Sequence, residues 1–277
     1  MARIDTLANF LTDIATAIKN KTGKTDKITP ANFDTEIESI QAGGDTSMED
    51  GLIERTLTEY SNDRVTSIGA YTFYKNQNLT TVDFPSVTSI GKEAFNGCSK
   101  LITVNFPLAT SIGTDVFSSC SNLTTVDFPS ATRINSYTFN YCSNLTTVNF
   151  PLATAIDSYA FNSCSKLTTT NFPLVKNIYG YAFSRCSNLT TVDLPLVANI
   201  NEFSFGYCSK LTTLILRSET IVTLSNTSAF MSTPIASGTG YIYVPSALIE
   251  EYKVATNWTT YAAQFRAIED YPDICGR

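Results

Sequence analysis

Apolar positions in this chain keep a fixed period. Leucine stands at Leu79, Leu101, Leu123, Leu145, Leu167, Leu189 and Leu211. Phenylalanine stands at Phe73, Phe95, Phe117, Phe139, Phe161, Phe183 and Phe205, and isoleucine at Ile68, Ile90, Ile112, Ile134, Ile156, Ile178 and Ile200. Six cysteines, Cys98 to Cys208, fall on the same 22-residue period. A period this short predicts a solenoid, because one unit cannot bury its apolar face alone and must stack on its neighbours. In the unit Leu123 to Asn144, LTTVDFPSATRINSYTFNYCSN, the alternation predicts a strand with Leu123, Val126 and Phe128 inward and Thr125 and Asp127 outward. Pro129 has no N–H for the next ladder bond and ends that strand. A second short extended piece ends at Ile134, and YTFNYC is expected to close the coil as one helical or 3₁₀ turn. Each coil should bury one phenylalanine from the turn and usually a second from the strand, at roughly 1.5–3 kcal/mol apiece.

The pattern changes at both ends. Ile4, Leu7, Phe10, Leu11, Ile14, Ala17 and Ile18 have helical spacing, which predicts an amphipathic helix that Gly23 stops. A second short helix is expected from Pro30 to Ile40, with Thr29 as N-cap. QAGGDTSMEDG reads as a linker. The division is therefore a helical attachment or oligomerisation module (1–40), a linker (41–51), the solenoid (52–224) and a C-terminal β/α cap (225–277). In the cap, Tyr241 to Val244 is expected to be a strand, Pro245 a break, and Leu248, Tyr252, Trp258, Tyr261 and Phe265 to lie on helical turns. Trp258 is read as cap core. Asn76 stands where later units have cysteine, as suits a terminal repeat.

Composition narrows the chemistry. The 277 residues carry a formal charge of −6 and are 43% hydrophobic. That describes an ordered chain with a sizeable core and no clustered basic footprint for nucleic acid. No apolar run is long enough to cross a bilayer, so no membrane insertion is expected, and the N-terminus lacks the apolar core of an export signal. With no histidine, Ser-His-Asp and Cys-His nucleophiles and His-based metal sites are excluded. The cysteine column reads first as a buried row of small hydrophobes. Disulfides between neighbouring coils are conceivable from strand spacing, and a metal site is the least favoured because the spacing is not CxxC. Cys275 lies off the ladder and is expected near the surface. No catalytic residue, cofactor or metal is predicted.

Outward columns are free to serve recognition, and two stand out. One is the strand face, a threonine ladder from Thr81 to Thr213 beside a row of Asp and Asn; its central candidates are Thr125, Asp127, Thr147 and Asn149. Such side chains can also serve only the fold, by bonding between coils. The other column lies two residues before each repeat phenylalanine: Tyr71, Glu93, Asp115, Tyr137, Tyr159, Tyr181 and Phe203. Its identity varies, so the coil does not need it. With Tyr141 and Tyr207 nearby, its aromatic half offers large contact area with polar tips, although stacking for stability alone would also explain it. The candidate ligand-binding residues are thus Tyr137, Tyr141, Tyr159, Tyr181, Phe203 and Tyr207, with the four strand-face residues. Asp83, Asp127 and Asp193 sit on separate coils of an open face, which does not make the cleft that paired-carboxylate hydrolysis needs.

The motif A-F-x-x-C-S-x-L-T-x-V-x-F-P followed by I-G resembles the BspA-type leucine-rich repeat over about residues 60–270. TPIASGTGYIYVPSALIEEYKVATNWTTYAAQFRAI resembles the cap that follows such repeats. The resemblance implies a right-handed leucine-rich-repeat solenoid, mainly β with short helical turns, and an adhesin that binds host proteins or other cells. ATAIKNKTGKTDKITPANFDTEI resembles a segment of bacteriophage and prophage structural proteins, which implies docking on a phage particle, or homo-oligomer formation, through residues 1–40. The expected function is non-enzymatic recognition of a cell-surface protein or polysaccharide, by a phage- or prophage-derived chain in a virion or the cytoplasm that contacts cell surfaces. The alternative is a structural spacer or decoration without a ligand.

Overall fold

The computed structural model describes residues 58–63 and 65–275. They form a β-solenoid of about nine turns with a short helical cap. Each regular coil contributes one three- or four-residue strand, such as Thr125–Asp127, and one two-residue strand, such as Arg133–Ile134. Strands pair in parallel with the equivalent strand of the next coil: Thr125 with Thr147, Val126 with Val148, Asp127 with Asn149. The expected alternation is present, with Leu123, Val126 and Phe128 buried and Thr125 and Asp127 exposed.

Two phenylalanine columns run through the core. From Phe73 to Phe205 and on to Phe230 the turn-column rings stack at 5.0–5.7 Å and within 11° of parallel. The strand column, Phe84 to Phe172, is spaced at 5.3–6.4 Å along itself and packs beside the turn column at 5.8–6.4 Å. The six cysteines of the ladder are all buried. Each Sγ donates to the carbonyl of the repeat phenylalanine one coil back, at 3.0–3.2 Å. Burial pushes the thiols of Cys120, Cys142, Cys164 and Cys186 well up. In the first unit the Asn76 Oδ1 accepts from the backbone of Asn78 and Leu79, both at 3.0 Å, closing the turn where no cysteine is available.

The turn differs from the expected helical or 3₁₀ segment. YTFNYC is a run of overlapping β-turns in which Tyr137 and Tyr141 take positive φ, at 59° and 60°. Alternate amides then diverge. Tyr137, Phe139 and Tyr141 donate to the next coil, at Ser158, Ala160 and Asn162. Thr138, Asn140 and Cys142 donate backward within the turn, to Asn135, Tyr137 and Phe139. A helix would aim its amides along its own axis and back into the coil, whereas this conformation sends alternate amides to the next coil and joins coils along a third side. Interior backbone groups must find partners, and stacking supplies them here.

The C-terminal segment continues the same stack. Tyr241–Val244 pairs with Thr213–Leu216 and then with Phe265–Ala267. The α-helix Ile249–Val254 and the 3₁₀ segment Trp258–Gln264 lie over the last coil; Phe265 opens a strand and does not lie on a helical turn. Trp258 is fully buried, and its Nε1 donates to Val222 O at 2.6 Å. Cys275, expected near the surface, is buried with Ile215 and Tyr243. Arg217 explains this: its guanidinium clasps Asp193 at 2.7 Å and also donates to the Cys275 carbonyl, drawing the chain end against the sheet.

Phe139→Ala should cost about 3–5 kcal/mol, as a large buried ring leaves a cavity, while Tyr141→Ala on the same turn should change unfolding free energy far less; denaturant unfolding compares them. A second expectation concerns alkali. Burial raises the Tyr252 and Tyr261 hydroxyls from 10 to about 12. The unfolded chain therefore ionises first. The stability these groups contribute is complete below pH 10 and is lost as pH rises through 12, by roughly 2–3 kcal/mol for each. Unfolding midpoints measured from pH 9 to 12 should fall accordingly, and Tyr261→Phe should flatten that fall.

Candidate binding surface

The strand face brings together the four polar candidates. Thr125 and Thr147 are adjacent rungs, as are Asp127 and Asn149. Asn149 Nδ2 donates to Asp127 Oδ1 at 2.8 Å, Asn171 Nδ2 to Asn149 Oδ1 at 2.8 Å, and Asn105 Nδ2 to Asp83 Oδ1 at 2.7 Å. Each series starts at a carboxylate, because Asp127 has no N–H to pass on to Asn105. The hydroxyls that bond between coils sit one position before the outward threonine ladder: Thr146 donates to Thr124 O at 3.0 Å and Thr168 to Thr146 O at 3.3 Å. This face is thus tied largely into itself.

The turn face is organised differently. Tyr137, Tyr159, Tyr181 and Phe203 form one continuous stack. Their ring centroids are 4.8, 4.7 and 4.8 Å apart, with planes within 13°. Tyr207 lies parallel to Phe203 at 6.5 Å, with the Arg185 guanidinium 5.0 Å from its ring. Tyr141 is exposed and stands apart, since Ser119 and Ser163 hold its column on either side. Burial first, then the neighbouring Tyr181 and Tyr137 phenols and Glu202, hold the Tyr159 hydroxyl above the usual tyrosine value. Toward the N-terminus the same column is charged. Glu93 meets Lys92 at 3.2 Å and accepts from the Tyr71 hydroxyl at 3.3 Å. Burial and the Glu93 charge raise Asp115 above the usual carboxylate range.

Every aromatic candidate of this face sits in the left-handed region: Tyr137, Tyr141, Tyr159, Tyr181, Phe203 and Tyr207 have φ between 52° and 62°. For a bulky residue that conformation costs about 1–2 kcal/mol, and one stacked pair returns about 0.5–1.5 kcal/mol. The two nearly cancel. Glycine fills the equivalent of Tyr141 at Gly97, with φ 76°, so the fold accepts a residue free of that strain.

Some surface features escaped the sequence reading. Tyr179 is exposed beside the stack, with the Arg133 guanidinium 5.9 Å from its ring; Arg133 also holds Asp157 at 2.6 Å and 2.9 Å. Leu152, Leu174 and Leu196, each following the repeat proline, are exposed on consecutive coils. The signal was present as a leucine column broken by Ser86 and Ser130. Among the described residues no group of His, Cys, Asp and Glu could hold a metal, and no helix is long and apolar enough to cross a membrane.

The family model for the BspA type leucine rich repeat region matches residues 66–190 and 132–248. The chain belongs to this family. The fold is similar to that of a leucine-rich repeat protein from Bacteroides ovatus, at 22% identity and a TM-score of 0.50, over 77% of this chain and 66% of that one. A leucine rich cell surface protein from Faecalibacterium prausnitzii aligns at 23% identity and a TM-score of 0.47, over 68% of this chain and 69% of its own. The T. pallidum leucine rich repeat protein aligns at 30% identity and a TM-score of 0.38, over 54% of this chain and 62% of its own. No curated protein matches the chain. The BspA-type match begins at residue 66, and the proposed particle-docking module at residues 1–40 lies outside the described residues.

A double-mutant cycle on Tyr159→Ala and Tyr181→Ala, read by denaturant unfolding, should give a coupling of about 0.5–1.5 kcal/mol. A coupling near zero would mean that the rings do not support one another.

Proposed function

We propose that this protein is a non-enzymatic recognition module that binds a protein on a cell surface or in a matrix through the aromatic half of its turn face. The observation that carries this is the stacked ladder of Tyr137, Tyr159, Tyr181 and Phe203 in a backbone conformation that costs about as much as the stacking returns. Stability alone gives little reason to hold four rings there. Ser136 and Ser158 precede Tyr137 and Tyr159 directly in the chain, with Asn135 and Asn140 in the same turn as Tyr137. Large rigid tyrosines among small adaptable polar residues are the composition that antibody paratopes use to bind proteins. Because the rings are already ordered by each other, less side-chain entropy is lost on binding. The strand face, with its amides bonded between coils, is the weaker candidate, and a polysaccharide is the weaker ligand. Membership of the BspA-type family supports binding as the class of function.

The test is the binding of labelled full-length chain to intact bacterial cells and matrix proteins, compared with a Tyr137→Ala/Tyr181→Ala chain. Saturable binding that the variant loses by tenfold or more, while its circular dichroism is unchanged, is the expected result. Undiminished binding by the variant would move the site to the strand face. No binding to any surface by the parent chain would favour a spacer or decoration role.

A further inference from the structure

The tyrosine ladder also specifies what shape of peptide can lie along it, given the reading that this ladder is the binding surface. Its ring faces are occupied by one another, so a ligand meets ring edges and phenol hydroxyls. Recognition of a sugar by packing on an open aromatic face is closed along the stack. The rings of Tyr137, Tyr159 and Tyr181 are parallel within 5° and their centroids step by 4.8 Å and 4.7 Å. They stand at equivalent positions of successive coils with φ of 59–61°, so the outer two side chains lie about two ring steps apart.

Three peptide conformations can be laid against that spacing. A polyproline II helix has three residues per turn and rises about 3.1 Å per residue, so residues i and i+3 lie on one side about 9.3 Å apart, with carbonyls that no internal bond uses. That repeat matches two steps of the ladder. A β-strand covers a similar length in three residues, but its period of two turns residue i+3 to the opposite side. An α-helix has a pitch of about 5.4 Å and bonds its own carbonyls. Only the first offers two free acceptors on one side at about two ring steps. Proline-rich segments also dock on aromatic surfaces at little ordering cost, because the polyproline II form is already populated.

We infer that the turn face binds a single-chain proline-rich segment of a partner protein in the polyproline II conformation, laid parallel to the solenoid axis. Tyr137 and Tyr181 donate from their hydroxyls to the carbonyls of residues i and i+3, and Tyr159 contributes its ring edge between them. Tyr159 and Tyr181 are half-buried and Tyr137 is exposed, so burial does not single out the central ring; its place between the two does. The central hydroxyl meets the ligand where a three-fold helix turns its carbonyls away, so the three tyrosines should not be equivalent.

The experiment titrates fluorescein-labelled nonaproline with the full-length chain and follows anisotropy, with a Gly-Ser peptide of the same length as control. Saturable binding of nonaproline and none of the control is expected. Tyr137→Phe and Tyr181→Phe keep the stack and should each weaken binding about 3–10-fold, the loss of one hydrogen bond. Tyr159→Phe should stay within about twofold. No binding of nonaproline, binding of a triple-helical Gly-Pro-Pro peptide alone, or an equal loss for Tyr159→Phe would each overturn the inference. If nonaproline fails while Tyr137→Ala/Tyr181→Ala still abolishes cell binding, the proline-rich ligand falls and the ladder remains the binding surface. If that double variant keeps cell binding, both fall.

Discussion

Hydrogen bonds between successive coils set the other distances in this molecule, because they join each coil to the next on all three sides. The strand Thr125–Asp127 bonds to Thr147–Asn149, Arg133–Ile134 to Ala155–Ile156, and the turn amides of Tyr137, Phe139 and Tyr141 to the carbonyls of the following turn. A constant offset from coil to coil then makes every sequence position a column. Identical residues in a column inherit the coil spacing without any further device. That single constraint stacks the phenylalanines, aligns the cysteines under phenylalanine carbonyls, and places phenol on phenol at 4.7–4.8 Å. It also explains why a column can change from acidic to aromatic without disturbing its neighbours, since the backbone and not the side chain holds the register.

The turn is where this economy has a cost. Using alternate amides to reach the next coil requires left-handed residues at two positions per coil, and side chains other than glycine resist that conformation. Across those positions the chain uses Gly97, small polar residues such as Ser119 and Ser163, and long or aromatic ones such as Arg185 and Tyr207. Serine in this column shows that a small residue suffices. Apart from Tyr71, the aromatic residues at these positions lie in the coils after Asp115, while the earlier coils carry Lys75 and Glu93 there, with Lys92 beside Glu93. The same backbone therefore presents a largely charged end and a largely aromatic end.

Most of the coil was legible in the sequence, and the reason is periodicity. Leu123, Val126, Phe128, Ile134, Phe139 and Cys142 declare their burial by recurring, and Trp258 by being a lone large residue among cap helices. The turn conformation was not legible, because YTFNYC has ordinary helical spacing and its outward hydrogen bonds go to the following coil, far away in sequence. Nor was the position of Cys275, which depends on where Arg217 and Asp193 meet it. Of the candidate surface, the column Tyr137 to Phe203 could be read as a column, but its face-to-face stacking could not. The isolation of Tyr141 was equally hidden: nothing in its own residue type says that Ser119 and Ser163 flank it.

The stacking changes what the surface can recognise. Scattered tyrosines offer faces and edges alike, and would suit sugars as well as proteins. Stacked tyrosines withdraw their faces and leave a row of edges and hydroxyls whose repeat the backbone dictates. A ligand that makes more than one hydrogen bond to such a row must share its period or a multiple of it. On the proposed reading the solenoid converts a structural repeat into a ruler, and selectivity would follow from commensurate length. A three-residue helical repeat of about 9.3 Å is close to two steps of that row, and the turn amides of Tyr137 and Tyr159, bonded to the next coil, keep the rings in line.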